Sequence, residues 1–117
     1  MKYVDAFVLP VPKENLKAYA RMARLGERLW RECGALDYKE CVGDDLNIKW
    51  AVSFAKMMKL KPGETVVFSY IVFKSRAHRD KVNAKVMKEM EKISDMTKMP
   101  FDPRRMVYGG FKGIVEM

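Results

Sequence analysis

Two carboxylates of the sequence stand beside aromatic residues at the spacing of a β-strand. In "KYVDAFVLP", Asp5 alternates with Tyr3 and Phe7, and in "ALDYKECVG", Glu40 alternates with Tyr38. Residues two apart on a strand share a face. If these faces line an enclosed apolar space, Asp5 and Glu40 are the candidate catalytic residues for general acid or base chemistry. The alternative is structural, because buried carboxylates usually pair with a cation or a tyrosine hydroxyl.

Two arginines lie one turn apart in "KSRAHRD", at the start of a predicted helix. The helix dipole disfavours cations at this end, so we expect Arg76 and Arg79 to hold carboxylates or an anionic ligand. Asp80 and Asp102 are the candidate protein partners. His78 is predicted to be a surface or packing residue, since one histidine alone does not make a metal centre.

The C-terminal stretch "RRMVYGGFKGIVEM" carries three glycines between positions 109 and 113. A phosphate loop or a KH-type clamp needs a helix start after its glycines. Here the β-branched Ile114 and Val115 predict a strand that continues to the terminus. Glycine within a strand indicates a bulge or the close approach of another group. Arg105 and Tyr108, which flank the glycines, are therefore candidate ligand-binding residues.

Composition limits the class of protein. A chain of 117 residues, 49% hydrophobic and 32% charged, is expected to form one domain over residues 1–117. Its longest apolar runs, such as "TVVFSYIVF", are too short for a membrane-spanning helix, and the N-terminus does not resemble a secretory signal. We therefore expect a cytoplasmic protein that has no membrane partner. Cys33 and Cys41 are expected to be reduced.

No motif in the sequence defines an activity. GxSxG, Walker, Rossmann and HExxH patterns are all missing from the sequence. The two cysteines and the lone histidine do not have the spacing of a metal site, so neither a metal nor a cofactor is predicted. The sequence thus leaves open whether the protein is an enzyme.

The formal net charge of +8 would suit an anionic partner such as a nucleic acid. Much of this charge falls on Lys81, Lys85, Lys88 and Lys92, which recur at the solvent-facing positions of a predicted helix. We interpret them as a solvated helix face, with nucleic-acid contact as the alternative.

Hydrophobic periodicity predicts the element order βαββαβ. Strands are expected at residues 2–11, 35–43 and 64–73 and in the last stretch. One helix of about 20 residues lies between Pro12 and Gly34, and a second follows Ser75 and runs to Met96. Residues 44–61 show no clear period and are predicted to form a short helix or a packed excursion. This order favours a ferredoxin-like α+β fold, with a four-stranded antiparallel sheet and both helices on one face.

The first and third predicted strands are apolar on both faces. Large exposed apolar patches mark interaction surfaces, and two-fold pairing is the commonest way to cover them. We therefore predict a homodimer whose sheets pack face to face and enclose a space. If the segment 44–61 lines the mouth of that space, it bears on which ligand is bound. The candidate ligand-binding residues are Tyr3, Phe7, Tyr38, Trp50, Phe68, Tyr70, Arg76, Arg79, Arg105 and Tyr108.

Three segments together resemble those of a known family: "GALDYKECVGDD", "ETVVFSYIVFKSRAHRDKVNAKVM" and "MPFDPRRMVYGGFKGIVE". They are similar to the YbaA-like bacterial family, which carries domain of unknown function 1428. That family is similar in turn to the dimeric α+β barrel superfamily, which includes small monooxygenases and chlorite dismutase. The resemblance implies the barrel fold and the dimer. It brings no established reaction.

These observations lead to one preferred function and two alternatives. The preferred function is the binding of a small aromatic or anionic molecule in a cavity between sheet and helices, with cofactor-independent oxygenase or isomerase chemistry by superfamily analogy alone. The first alternative is RNA binding, with Phe68 and Tyr70 joined by Tyr3 or Phe7 as a base-stacking platform. The second is a dimeric interaction module without a ligand.

Overall fold

The computed structural model describes residues 1–93 and 99–117 of the chain. They form an α+β structure with a four-stranded antiparallel sheet and three helices. Single 3₁₀ turns at Lys13–Asn15 and Pro103–Arg105 precede α1 and β4. The strands and helices are β1 (Tyr3–Pro12), α1 (Leu16–Cys33), β2 (Asp37–Val42), α2 (Phe54–Met57), β3 (Glu64–Phe73), α3 (Arg76–Glu91) and β4 (Val107–Lys112).

The strands lie in the order β2-β3-β1-β4, with all neighbours antiparallel. β1 and β3 pair along their full length, so the prediction of a strand at 64–73 is confirmed. β4 pairs with β1 only as far as Val8 and Val107. Pro10 and Pro12 therefore lie where β1 has one neighbour, and a missing N–H is tolerated there. For this reason β1 extends to Pro12, one residue beyond the predicted end.

Both long helices have the predicted end signals. α1 is capped at its C-terminal end by Gly34, whose φ of 114° is left-handed and whose N–H donates to carbonyls of the last turn. α3 begins after Ser75, whose hydroxyl accepts a hydrogen bond from the His78 N–H at 3.1 Å. α3 ends at Glu91, before the predicted end at Met96. Residues 94–96 of that prediction lie outside the described part of the chain.

The main core lies between the sheet and the two long helices. One cluster joins Leu29 of α1 to Val82 and Val86 of α3 across Ile71 and Phe73 of β3. α1 and α3 therefore cover the same face of the sheet. A second cluster toward the other end of α1 consists of Leu9, Val11, Tyr19, Ala23 and Val67.

The opposite face of the sheet is only partly covered. Met58, which follows α2, is 7% exposed and packs on Val8 and Val66, with Leu46 and Leu60 beside it. Residues 44–61 thus contain both the short helix and the packed excursion that the sequence allowed. The apolar residues of its uncovered part, which we call the open face, are Val4, Ala6, Phe68, Tyr70, Val72, Val107 and Phe111. Asp37, Lys39 and Cys41 of β2 lie beside them on the same side of the sheet.

The predicted extension of the last strand to the terminus is wrong. β4 ends at Lys112, which pairs with Tyr3 at the start of β1. Beyond this point β4 has no strand to pair with, and Ile114 and Val115 are 80% and 86% exposed. Within residues 1–93 and 99–117, no helix has the length and apolar character needed to cross a bilayer.

Candidate ligand-binding cavity

A cavity of about 380 Å³ lies between the sheet and the helices α1 and α3. Its wall is mainly apolar and comes from every layer of the fold. Residues of α1, of the strands β1, β2 and β3 and of α3 contribute to it, together with Ile93, Met99, Phe101 and Met106. The apolar residues of the wall include Phe7, Leu9, Met22, Leu29, Ile71, Met90 and Phe101.

Glu40 of β2 brings a carboxylate into this apolar wall. Its two oxygens each accept a hydrogen bond, from the Tyr19 hydroxyl at 2.7 Å and from the Tyr38 hydroxyl at 2.5 Å. Burial raises the pKa of both tyrosines, and the adjacent Glu40 raises it further. Both phenols therefore remain protonated as donors to the carboxylate. Ser69, which is 4% exposed, pairs with Glu40 across the strands and also lines the cavity.

A series of aromatic and hydrogen-bonding contacts leads from this carboxylate to the second candidate, Asp5. Tyr38 lies beside Trp30, with ring centroids 6.0 Å apart. The Trp30 indole N–H donates to Asn83 Oδ1 at 2.9 Å, and Asn83 Nδ2 lies 3.4 Å from Asp5 Oδ2. Asp5 and Glu40 therefore occupy the same side of the sheet, linked through the two helices.

Asp5 itself is held by Arg79 at the far end of this chain. The carboxylate is 1% exposed, and its Oδ1 lies 3.3 Å from Arg79 Nη1. Nη1 also donates to the Tyr108 hydroxyl at 2.6 Å, and Nη2 donates to the Tyr3 hydroxyl at 3.3 Å. Arg79 Nε pairs with Asp80 by charge at 3.0 Å, without an aligned hydrogen bond. Arg79 thus ties α3 to β1 and β4.

Gly110 leaves room for Tyr3, one of the residues that contact Arg79. A Cβ at Gly110 would collide with the ring and hydroxyl of Tyr3, whose ring also lies 5.0 Å from the Arg79 guanidinium carbon. A Cβ at Gly109 would meet only the Phe111 ring, at 3.5 Å. The sequence predicted a close approach at these glycines. The group that approaches is a tyrosine of the neighbouring strand.

The structure divides the predicted aromatic residues between two faces. Phe7 lines the cavity and stacks on Tyr108 at 4.7 Å, on the same side as Tyr3. Phe68 and Tyr70 lie on the open face, 6.2 Å apart. A single platform that joins Phe68 and Tyr70 to Tyr3 or Phe7 is therefore wrong, because residues at odd and even positions of these strands point to opposite sides.

Three other predicted residues lie away from the cavity. Arg105 forms a two-bonded ion pair with Glu64, at 2.6 and 3.0 Å, and this pairing lowers the pKa of Glu64. Arg76 is exposed at the first position of α3. Trp50 is 89% exposed in the segment before α2. Asp102, which was a candidate partner for the arginines of α3, pairs with Arg104.

Three cavity residues with polar groups, Tyr19, Trp30 and Ser69, were missed as site residues from the sequence. Tyr19 falls on the buried stripe of α1, and a buried tyrosine hydroxyl usually requires a partner. That requirement could have pointed to Glu40. Ser69 lies within an apolar strand, and nothing in its sequence context indicated a site residue. Across the described ranges, no group of three or more His, Cys, Asp or Glu side chains could hold a metal ion.

Comparison with solved structures finds a likeness of fold. A de novo designed protein, Foldit4, matches with a TM-score of 0.50 and 10% sequence identity, covering 97% of this chain and 99% of that one. At this identity the likeness concerns the fold alone.

Comparison with known sequences finds close relatives. The uncharacterized protein YbaA of Escherichia coli strain K12 is 40% identical over 116 residues, which is 99% of each chain. The YbaA protein of Shigella flexneri matches equally well. A family model described as "Protein of unknown function (DUF1428)" matches residues 2–103. The chain therefore belongs to the DUF1428 family.

Proposed function

We propose that this protein binds a small molecule in the cavity between the sheet and the helices α1 and α3. The observation that carries the proposal is a carboxylate, Glu40, that faces an otherwise apolar space of about 380 Å³. Small-molecule sites are typically apolar clefts of about 300–1,000 Å³ with a few convergent polar groups. Within the described part of the chain, no salt bridge joins Glu40 to a cation, and an unpaired carboxylate costs stability in such a wall, which favours a role in binding.

The same arrangement supports Glu40, rather than Asp5, as the group for proton transfer. Asp5 is paired with Arg79 and lies outside the cavity wall, whereas Glu40 is part of that wall. Cofactor-independent isomerase-type or oxygenase-type chemistry on a bound molecule would use Glu40 as general acid or base.

The proposed architecture is a ferredoxin-like domain over residues 1–117 that pairs as a dimeric α+β barrel. The strand order β2-β3-β1-β4, with α1 and α3 on one face, supports the ferredoxin-like assignment. The apolar open face supports a second copy of the chain as its cover. Cys33 and Cys41 are both free, which suits a reducing, cytoplasmic location.

A titration with N-phenylnaphthylamine tests the ligand proposal. This neutral probe becomes fluorescent on entering an apolar cavity. We expect saturable binding to the wild-type protein. Ala23 is 7% exposed and lines the cavity, so Ala23→Leu should fill part of the space and weaken binding. Ala20→Leu is the matched control, because Ala20 lies on α1 but not in the cavity wall.

Two results would contradict the proposal. One is a wild-type protein that does not bind the probe. The other is equal weakening of binding by Ala23→Leu and Ala20→Leu, since that would place the probe elsewhere. Circular dichroism spectra of both variants establish that they are folded.

A further inference from the structure

The polar groups of the cavity wall differ in what they can offer a ligand. The hydroxyl protons of Tyr19 and Tyr38 are donated to Glu40, at 2.7 and 2.5 Å. The indole N–H of Trp30 is donated to Asn83 at 2.9 Å. A carboxylate can accept about four hydrogen bonds, and Glu40 receives two from these tyrosines. The wall therefore retains acceptor capacity on Glu40, while three of its donors are already engaged.

The described residues give the cavity wall a charge of one sign. Within the described ranges, no lysine or arginine lines the cavity, and Glu40 is its charged residue. Arg79, which lies on the same side of the sheet, is bound to Asp5 and Tyr108. Among the described residues, an anionic group in the cavity would face Glu40 without a counter-ion, and burial of an unpaired charge is strongly unfavourable.

We infer that the cavity selects small molecules with an apolar body and a hydrogen-bond-donating head, an amine or a hydroxyl, that reaches Glu40, and that it rejects anions. This inference rests on the proposed function and narrows its ligand. It also replaces the expectation of an anionic ligand. Met22, Met87 and Met90 lie in the wall, and flexible methionine side chains adapt to bodies of different shape. Selectivity therefore resides in the head of the ligand.

Three probes with one apolar body, a phenylbutyl group, test this inference: phenylbutylamine, phenylbutanol and phenylvalerate. Trp50 is 89% exposed and is not part of the wall, so Trp50→Phe leaves Trp30 as the one tryptophan, within the cavity. Titrations of Trp30 fluorescence then report binding at this site. We expect the amine to bind at least about tenfold more tightly than the carboxylate, with the alcohol between them. The net charge of +8 would favour the carboxylate probe over the amine, so overall charge does not explain the expected order of affinities.

A charge-removing variant assigns the preference to Glu40. Glu40→Gln keeps the size of the side chain and removes its charge, so the ratio of the amine and carboxylate dissociation constants should fall by about tenfold. Glu32→Gln changes the net charge equally at an exposed position of α1 and should leave the ratio unchanged. If Glu40→Gln does not fold, the order of the three probes in the wild-type cavity decides the matter.

The possible outcomes separate this inference from the proposed function. Equal binding of all three probes, or tightest binding of phenylvalerate, would overturn the head-group selectivity and leave a small-molecule site in place. An amine preference that survives Glu40→Gln would also overturn it. If none of the probes binds at the cavity, both the inference and the proposed function fail.

Discussion

At the scale of residues, Asp5 and Glu40 have similar sequence neighbours but lie in different environments in the structure. Asp5 is 1% exposed and paired with Arg79, whose other contacts are the Tyr3 and Tyr108 hydroxyls. Glu40 is held by tyrosine hydroxyls in the cavity wall. The sequence supplied both carboxylates and their nearest aromatic neighbours, because alternation along a strand fixes which residues share a face. It did not supply their partners on the helices, which depend on how α1 and α3 pack.

The ion pair of Asp5 and Arg79 should behave as a structural brace. Arg79→Met leaves a buried carboxylate without its cation, so we expect the free energy of unfolding to fall by about 3–5 kcal/mol. Addition of Asp5→Asn should recover part of that loss. Urea unfolding of the two single variants and the double variant measures the coupling.

A second ion pair supplies the control for this double-mutant cycle. Arg31 and Glu27 form an exposed ion pair on α1, and their coupling should be below about 0.5 kcal/mol. Strictly additive effects of Asp5→Asn and Arg79→Met would argue against the brace and for an arginine that is available to a ligand.

The tyrosines that hold Glu40 should make stability depend on pH in the alkaline range. Their pKa values are raised above the ordinary 10.0 in the folded protein, so the unfolded chain releases these protons first. Their contribution is therefore complete below about pH 10 and declines above it, by up to about 1.4 kcal/mol per pH unit for each tyrosine. Tyr38→Phe should remove the contribution of Tyr38 to this pH dependence.

Urea unfolding between about pH 9 and 11 measures this slope for the wild-type protein, Tyr38→Phe and Tyr19→Phe. The two single variants should each reduce it, and the double variant should reduce it further. A slope that is the same in all four proteins would mean that the phenols are not held in the protonated form by burial and Glu40.

At the scale of elements, β4 shows that a glycine in a strand makes room for a side chain of the neighbouring strand. Its glycines suggested a close approach, and the approaching group is the Tyr3 ring of β1, which in turn supports Arg79 of α3. The segment 44–61 was the least predictable part, since its apolar residues had no period. Its Met58 covers Val8 and Val66 on the face opposite the helices. Packing partners, rather than local pattern, define that segment.

The two adjacent glycines of β4 should respond differently to the same change. Gly110→Ala forces Tyr3 from its position and should lower the free energy of unfolding by about 1–3 kcal/mol. Gly109→Ala has room at 3.5 Å from Phe111, so its effect should stay within about 0.5–1 kcal/mol of the wild-type value. Thermal or urea unfolding of both variants measures the difference. Equal effects would contradict the close packing of Tyr3 on Gly110.

At the scale of the whole molecule, the sequence predicted the strands and the two long helices well. Strand alternation and helix end signals are local, and β3, the N-cap of α3 and the C-terminal glycine of α1 lie where those signals placed them. The exposure of Ile114 and Val115 was not predicted, because it depends on where the neighbouring strand begins. The division of aromatic residues between two faces depends on the pairing register of β1 and β3, which the sequence does not give, and the single-platform hypothesis placed them on one face.

The open face should hold two copies of the chain together in solution. Phe68 lies within it at 37% exposure, and Phe68→Glu would bring a charge into the proposed interface. Light scattering after size-exclusion chromatography should give twice the 13.6 kDa chain mass for the wild-type protein and one chain mass for the variant. Lys17→Gln changes the net charge equally on the exposed side of α1 and should remain dimeric. A monomeric wild-type protein would contradict the dimer.

The central claim is that the cavity beside Glu40 is a binding site. A crystal structure of the protein grown with phenylbutylamine tests it most directly. We expect the phenyl body between α1, α3 and the sheet, and the amine nitrogen within about 3.2 Å of a Glu40 oxygen. A structure in which protein side chains fill the cavity, or in which the probe binds only elsewhere, would contradict the claim.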